Sequence, residues 1–500
     1  MPSRDNQFPR ASGTLLPIFS LPSPYGIGTL GREAREFVDF LADSGQRYWQ
    51  VLPVGPTSYG DSPYQSPSTF AGNPYFIDLD LLCEDGLLKK EEIESLSWGE
   101  DPERVDYGQL YQNRFLLLRK AFERGFERDR KEAEAYFEQN RFWLEDYSLF
   151  MAVKLHFNMR SWLEWDEDIR LRRPEAVERY KKECANDINY VCYIQYLFFK
   201  QWSALVDYAH SKNVSIIGDM PIYVALDSVD VWANPECFDL DEKGFPREVA
   251  GVPPDNFTAD GQLWGNPLYN YKAMQKDGYR WWLNRIKGAD RLYDVVRIDH
   301  FRGFESYWAV PAGDKTATNG RWIKGPAMDL VGRFKENFPK IKFIAEDLGY
   351  HTEEVDKLLS DSGFPGMKVL QFGFDTRDDN NVNHLPHNYT ENSVCYAGTH
   401  DNNTLVGWIG TANRADVKRC VEYLGLSNEN NLAQKMLEEG MASTSNLFVA
   451  QMQDWILKGG EARMNTPGSP EGNWQWRMKK EHLSPALSTE LLKLTKEHNR

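Results

Sequence analysis

The stretch Asp294-Val-Val-Arg-Ile-Asp299 decides how the rest of the chain is read. Val295, Val296 and Ile298 form a short β-branched run that closes on an acid. Branching at Cβ favours extended backbone, and a short, largely apolar run suits a strand covered on both faces. Runs of the same kind recur at Thr14–Phe19, Tyr48–Pro53, Val214–Asp219, Lys342–Glu346, Met367–Phe372, Val394–Thr399 and Leu447–Met452, the last of which also reads as a helix. Between many of them lie stretches with apolar residues at helical spacing: Arg32–Ala42 (Phe37, Phe40, Leu41), Trp202–Lys212 and Met328–Phe338. Strand–helix alternation implies a parallel sheet, and eight such runs predict an α/β fold, a closed (β/α)8 TIM barrel.

The spacing predicts insertions. Residues 54–213 separate the second and third runs, far more than a barrel helix with its usual connections of about 2–6 residues on either side requires. Helical spacing over Asn113–Glu138, Trp143–Leu155 and Asn189–Leu205 makes residues 80–200 a mostly helical insertion. Residues 225–276, rich in Pro, Gly, Asp and Trp, read as an irregular insertion covering the cleft at one end of the barrel. The barrel is expected to occupy residues 1–500 as a single unit with no C-terminal β-sandwich.

Composition narrows the partners. Lys and Arg number 58 against 74 Asp and Glu, a net charge of −16, which disfavours nucleic acid and anionic membranes and suits a neutral ligand such as a sugar. Aromatic residues make up 13% of the chain, and their faces match the flat C–H faces of sugar rings, although part of the excess belongs to the core. Cys83, Cys184, Cys192, Cys237, Cys395 and Cys420 form no C-x-x-C pair and no zinc spacing, so reduced thiols are expected. No run reaches the ~18 apolar residues of a membrane span, and Met1–Arg10 lacks a signal h-region; a cytoplasmic location with no obligate protein partner is expected.

Barrel enzymes carry their chemistry at the C-terminal ends of the strands. Four runs end in or just before an acid: Asp219, Asp299, Glu346 and Asp401. Breaking a glycosidic bond requires a proton for the leaving oxygen and a carboxylate facing the cationic sugar carbon, and retaining enzymes set the two carboxyls ~5–5.5 Å apart. Arg297 and Asp299 lie two apart on a strand and share a face, so the cation is expected to keep Asp299 ionised, as a nucleophile must be. Ile344 stands at the equivalent position before Glu346, and an apolar setting would raise that carboxyl into the range of a general acid. His300 and His400 adjoin these acids, and neutral imidazoles both donate to and accept from sugar hydroxyls. A His–Asp pair alone is not a metal ligand set, so neither metal nor cofactor is expected.

Ten blocks in order carry a resemblance: Ser20–Gly31 (SLPSPYGIGTLG), Tyr48–Gln65, Phe70–Leu79, Ile216–Ala225, Ala250–Tyr269, Val295–Glu305, Ala345–Gly349, Gly366–Phe372, Gly398–Thr404 and Gly472–Arg477 (GNWQWR). The chain resembles the amylomaltase, or 4-α-glucanotransferase, family, distant relatives of the α-amylase clan. The resemblance implies transfer of α-1,4-glucan segments between maltooligosaccharides, with Asp299 as nucleophile, Glu346 as acid/base and Asp401 as a third acid steadying the transition state. It also implies sugar contacts for Tyr64, Asp219, Arg297, His300, His400 and Asn473, an acceptor-side loop carrying Asp255 and Trp264, and a secondary glucan groove at Tyr59. Some members carry His-Pro before the Ser of the first block, where this chain has Pro17-Ile18-Phe19, so no His contact is expected from the first strand. Two other readings share these acids or the fold: an α-amylase-type hydrolase, and a non-catalytic glucan-binding protein.

Overall fold

The structure is a computed structural model, described for residues 8–500 apart from 59, 255–258, 350–351, 378 and 470. In chain order its strands are β1 (Ala11–Leu15), β2 (Tyr48–Gln50), β3 (Ser215–Met220), β4 (Glu248–Val252), β5 (Gln262–Pro267), β6 (Val295–Ile298), β7 (Ser306–Pro311), β8 (Arg321–Lys324), β9 (Lys342–Ala345), β10 (Gly366–Val369), β11 (Ser393–Tyr396) and β12 (Leu447–Gln451). Eight of them close into a barrel in the order β1-β12-β11-β10-β9-β6-β3-β2, with every pairing parallel. Each of the eight apolar runs supplies one barrel strand. The first, Ala11–Leu15, stops short of the expected Phe19, because Pro17 has no N–H for a ladder and Ile18–Ser20 tightens into a 3-10 turn. The last stretch contains both of its readings: a strand to Gln451, then a helical turn over Met452–Trp455.

Alternation along the strands fills the lumen. Leu15, Tyr48, Ile217, Val295, Ile344, Met367, Val394, Tyr396, Leu447 and Val449 belong to one buried cluster. Two residues further along their strands, Gln50, Asp219 and Arg297 follow Tyr48, Ile217 and Val295 on the same face, so the lumen turns polar toward the strand C-termini. The Tyr396 hydroxyl donates to Gln50 Oε1 at 2.8 Å, which satisfies two buried polar groups inside the barrel. Gly218 points away from the lumen, and a Cβ there would lie 2.1 Å from the Tyr293 ring. Gly218→Ala is therefore expected to cost about 1–3 kcal/mol through overpacking, read as a lower urea midpoint with an unchanged m-value.

Residues 79–211 fold as the helices Leu79–Glu84, Lys90–Glu94, Tyr107–Gly125, Arg130–His156, Glu167–Arg170, Pro174–Glu183 and Ala185–Ser211. The helix expected over Asn113–Glu138 is broken after Gly125, where the Tyr193 hydroxyl donates to Asp129 at 2.7 Å. The helix Ala185–Ser211 also ties down the chain after β2. Gln195 bonds both the N–H and C=O of Gly72, and Gln201 bonds those of Asp78.

Residues 225–276, expected as irregular loop, carry β4 and β5. These join β7 and β8 in a four-stranded antiparallel sheet ordered β5-β4-β7-β8. Gly and Pro hid these strands: Gly251 lies within β4, and Pro267 and Pro311 end β5 and β7, where no further ladder N–H is needed. Among the described residues no strand follows Gln451, and no helix is long and apolar enough to cross a membrane. The six cysteines are free thiols, with Cys184, Cys237, Cys395 and Cys420 buried.

Candidate active site

The barrel ladder places the acids. Asp219 on β3 is the register partner of Arg297 on β6, which in turn pairs with Ile344 on β9. The ladder continues one step past the strands: Asp299 N–H donates to Met220 C=O at 3.0 Å, and Glu346 N–H donates to Ile298 C=O at 3.0 Å. Asp299 and Glu346 therefore stand on adjoining strand extensions at the C-terminal mouth.

Arg297 is the cation of this cluster, and it is shared. Its Nη1 lies 2.7 Å from both oxygens of Asp219 and 3.1 Å from Asp299 Oδ1. The side chains of Asp219 and Arg297 are 0% and 4% exposed, whereas that of Asp299 is 29% exposed. Desolvation at this crowded mouth pushes the Asp299 carboxyl well above the usual carboxylate range; Arg297 opposes the shift, and the charges of Asp219, Glu346 and Asp401 add to it. The expected contact between Arg297 and Asp299 is present, but the shorter contacts of the guanidinium go to Asp219.

The setting of Glu346 also differs from the expected apolar one. Its Oε2 accepts the His300 N–H at 2.6 Å and its Oε1 accepts the Leu348 N–H at 3.0 Å. Burial nonetheless raises its pKa, against Arg297 and the two amides. The amide contact depends on backbone shape. His300 adopts φ +52°, a left-handed conformation uncommon outside glycine, and from it the His300 N–H donates to Glu346.

Aromatic rings border the acids. The His300 ring meets Trp264 edge to face at 4.9 Å and 87°, which brings β5 of the antiparallel sheet to the mouth. Burial, with Arg302 adding, lowers the His300 pKa to about 3, so the imidazole is neutral at physiological pH. Tyr64 donates to Asp219 Oδ2 at 2.7 Å and stacks on His400 at 5.1 Å. Trp474 packs against both rings, at 5.7 Å from Tyr64 and 5.9 Å from His400. Burial lowers the pKa of His400, opposed by Asp401.

Asp401 follows β11 with a side chain 44% exposed and His400 Nε2 at 3.4 Å from its Oδ1. Asn465 Nδ2 donates to the same oxygen at 2.6 Å, and Arg463 Nη2 donates to the Asp401 carbonyl at 2.7 Å. The structure thus brings together Tyr64, Asp219, Arg297, Asp299, Glu346, His300, His400, Asp401 and Trp264 through direct contacts. Asn473 is engaged within its own loop: its Oδ1 accepts from Thr466 N–H and its Nδ2 donates to Ser469 C=O. Tyr59 and Asp255 lie outside the described residues. Sequence reasoning missed Arg463, Asn465 and Trp474. For Arg463 and Asn465 the available signal was weak, a polar run in the Gly- and Pro-rich segment between β12 and the GNWQWR block, whereas Trp474 stands inside that block beside Asn473.

A closed parallel barrel whose C-terminal mouth gathers Asp219, Asp299, Glu346 and Asp401, with Arg297 bonded to the first two, belongs, as a class, with the (β/α)8 enzymes. The profile of the 4-alpha-glucanotransferase family matches residues 16–484, and the chain belongs to that family. It is 48% identical over 485 residues to a 4-alpha-glucanotransferase of Clostridium butyricum, covering 97% of this chain and 99% of the relative. It is 47% identical over 491 residues to one from Thermus thermophilus, covering 96% and 97%. Among solved structures it is similar to an amylomaltase from Streptococcus agalactiae in complex with acarbose, with a TM-score of 0.95, 42% identity, and coverage of 98% of this chain and 99% of that one.

Proposed function

We propose that this chain is a retaining 4-alpha-glucanotransferase that moves α-1,4-glucan segments onto the 4-hydroxyl of glucose or another glucan in the cytoplasm. The observation that carries the mechanism is the placement of Asp299 and Glu346 on adjoining strand extensions, with the Glu346 carboxylate accepting from the peptide N–H that directly follows Asp299. Burial raises both carboxyls, that of Asp299 more strongly, so the roles are assigned from exposure and contacts. The more buried Glu346 takes the role of acid, and Asp299, with more solvent access and Arg297 at 3.1 Å, takes that of the charged nucleophile.

Asp299 attacks the anomeric carbon while Glu346 protonates the departing glucan. A β-linked glycosyl-enzyme forms on Asp299, and the ionised Glu346 then takes the proton of an incoming 4-hydroxyl, which attacks and restores the α-linkage. Asp401 accepts sugar hydroxyls whose bonds tighten as positive charge develops. The neutral His300 and His400, with Tyr64, Asp219 and Arg297, line the sugar site, and Trp264 and Asp255 are assigned to binding of the acceptor. Asn473 shapes the loop that delivers Trp474, and Tyr59 belongs to a secondary glucan groove.

Transfer requires that the acceptor outcompete water, so the segment over residues 250–269 serves as a cover in this reading. Incubation with maltotriose is expected to give glucose and longer chains with almost no net rise in reducing ends. A steady rise would instead assign the site to hydrolysis, and no product at all would leave a binding protein.

A further inference from the structure

We infer that Asn465, held in place by Arg463, is the positioning residue that aims Asp401 at the substrate; the inference rests on the role proposed for Asp401 above. The segment after β12 reaches the Asp401 loop by several independent bonds. Asn465 N–H donates to His400 C=O at 3.1 Å, and Asn465 Nδ2 donates to Asp401 Oδ1 at 2.6 Å. One guanidinium bridges both partners: Arg463 Nη2 donates to the Asp401 carbonyl and its Nε to the Asn465 carbonyl, each at 2.7 Å.

The chemistry of these contacts is specific. A carboxylate with 44% of its side chain exposed and no Lys or Arg paired to it among the described residues has little to fix its rotation. A short bond from a neutral amide to an ionised oxygen supplies that constraint without adding a charge. Oδ1 is then occupied by Asn465 and flanked by His400, while Oδ2 has no hydrogen-bond partner among the described residues and is left for sugar hydroxyls. The charge of Arg463 is directed at two carbonyls and not at the carboxylate, so Asp401 keeps its capacity to accept from substrate. Such preorganisation is what a group acting only in the transition state requires.

The test compares Asn465→Ala, Asn465→Asp and Asp401→Asn in the full chain with maltotriose. Asn465→Ala is expected to lower kcat by about 10–100-fold, the scale seen when an orienting partner is lost at metal sites, with KM nearly unchanged. Asn465→Asp is isosteric and sets a second carboxylate against Asp401. The groups facing it are Asp401, His400 and Arg463. At neutral pH the two charges repel and activity is low. As the pH falls the new carboxyl takes up a proton and donates to Asp401, so the activity of this variant relative to the unmodified enzyme rises toward acid. A merely structural Asn465 predicts the same deficit at every pH. Parallel pH profiles, or an unchanged kcat for Asn465→Ala, overturn the inference while an inactive Asp401→Asn leaves the role of Asp401 standing. A fully active Asp401→Asn overturns both.

Discussion

Asp299→Asn is expected to lower kcat by about 10^4-fold or more, because the amide neither attacks the anomeric carbon nor carries the charge that meets it. The same substitution should raise thermal stability. Asp299 shares its single guanidinium with Asp219 and is crowded by Glu346 and Asp401, and its carboxyl is raised well above the ordinary range. A carboxyl raised on folding costs stability once it is ionised. That cost is absent below the unfolded pKa, where both states are protonated, and is complete above the folded one. The gain in melting temperature of Asp299→Asn should therefore grow from acid toward neutral pH. Melting curves across that range, beside single-turnover transfer on maltotriose, check both halves. Activity within tenfold of the unmodified enzyme removes Asp299 as nucleophile, and a destabilised variant removes the picture of a strained cluster.

Glu346→Gln is expected to reduce kcat on maltooligosaccharides by about 10^2–10^4-fold, the usual contribution of a positioned acid or base. The loss should depend on the leaving group. A maltosyl donor whose departing group needs no proton restores formation of the glycosyl-enzyme, whereas the second half-reaction still lacks its base. Because burial raises the Glu346 pKa, its acid form persists above the ordinary carboxylate range, and activity falls on the basic side as that proton is lost. Gln does not titrate, so the basic limb disappears in the variant. Retention of that limb assigns the proton to another group. The left-handed His300 backbone and its bond to position 346 survive in Gln, whose amide oxygen still accepts from the His300 N–H.

The barrel was legible because its strands are buried on both faces. Runs such as Val295–Ile298 and Leu447–Gln451 are apolar for that reason, and the acids stand out where the runs end. The antiparallel sheet was not legible. Its outer face reaches solvent, as the exposed Leu263 and Trp322 attest, and Gly251 and Pro267 interrupt any strand pattern. The spacing of Arg297 and Asp299 correctly implies contact, but spacing cannot weigh the rival claim of Asp219, which arrives from a strand 78 residues earlier. Likewise, the amides that hold Glu346 and the Asn465 side chain that holds Asp401 come from loop backbone shape and from a remote segment, neither of which leaves a periodic trace.

The pairing of β1 with β12 has a consequence for synthesis. Translation proceeds at roughly 5–20 residues per second, so tens of seconds separate the appearance of Ala11 at the ribosome from that of Leu447. Throughout that interval one side of β1 lacks the neighbour it has in the finished barrel. An open parallel sheet of buried, apolar strands is a template for adventitious pairing. The nascent chain is thus exposed to aggregation until β12 has emerged, and its yield in cells should respond to chaperone supply more strongly than the stability of the closed barrel alone would indicate.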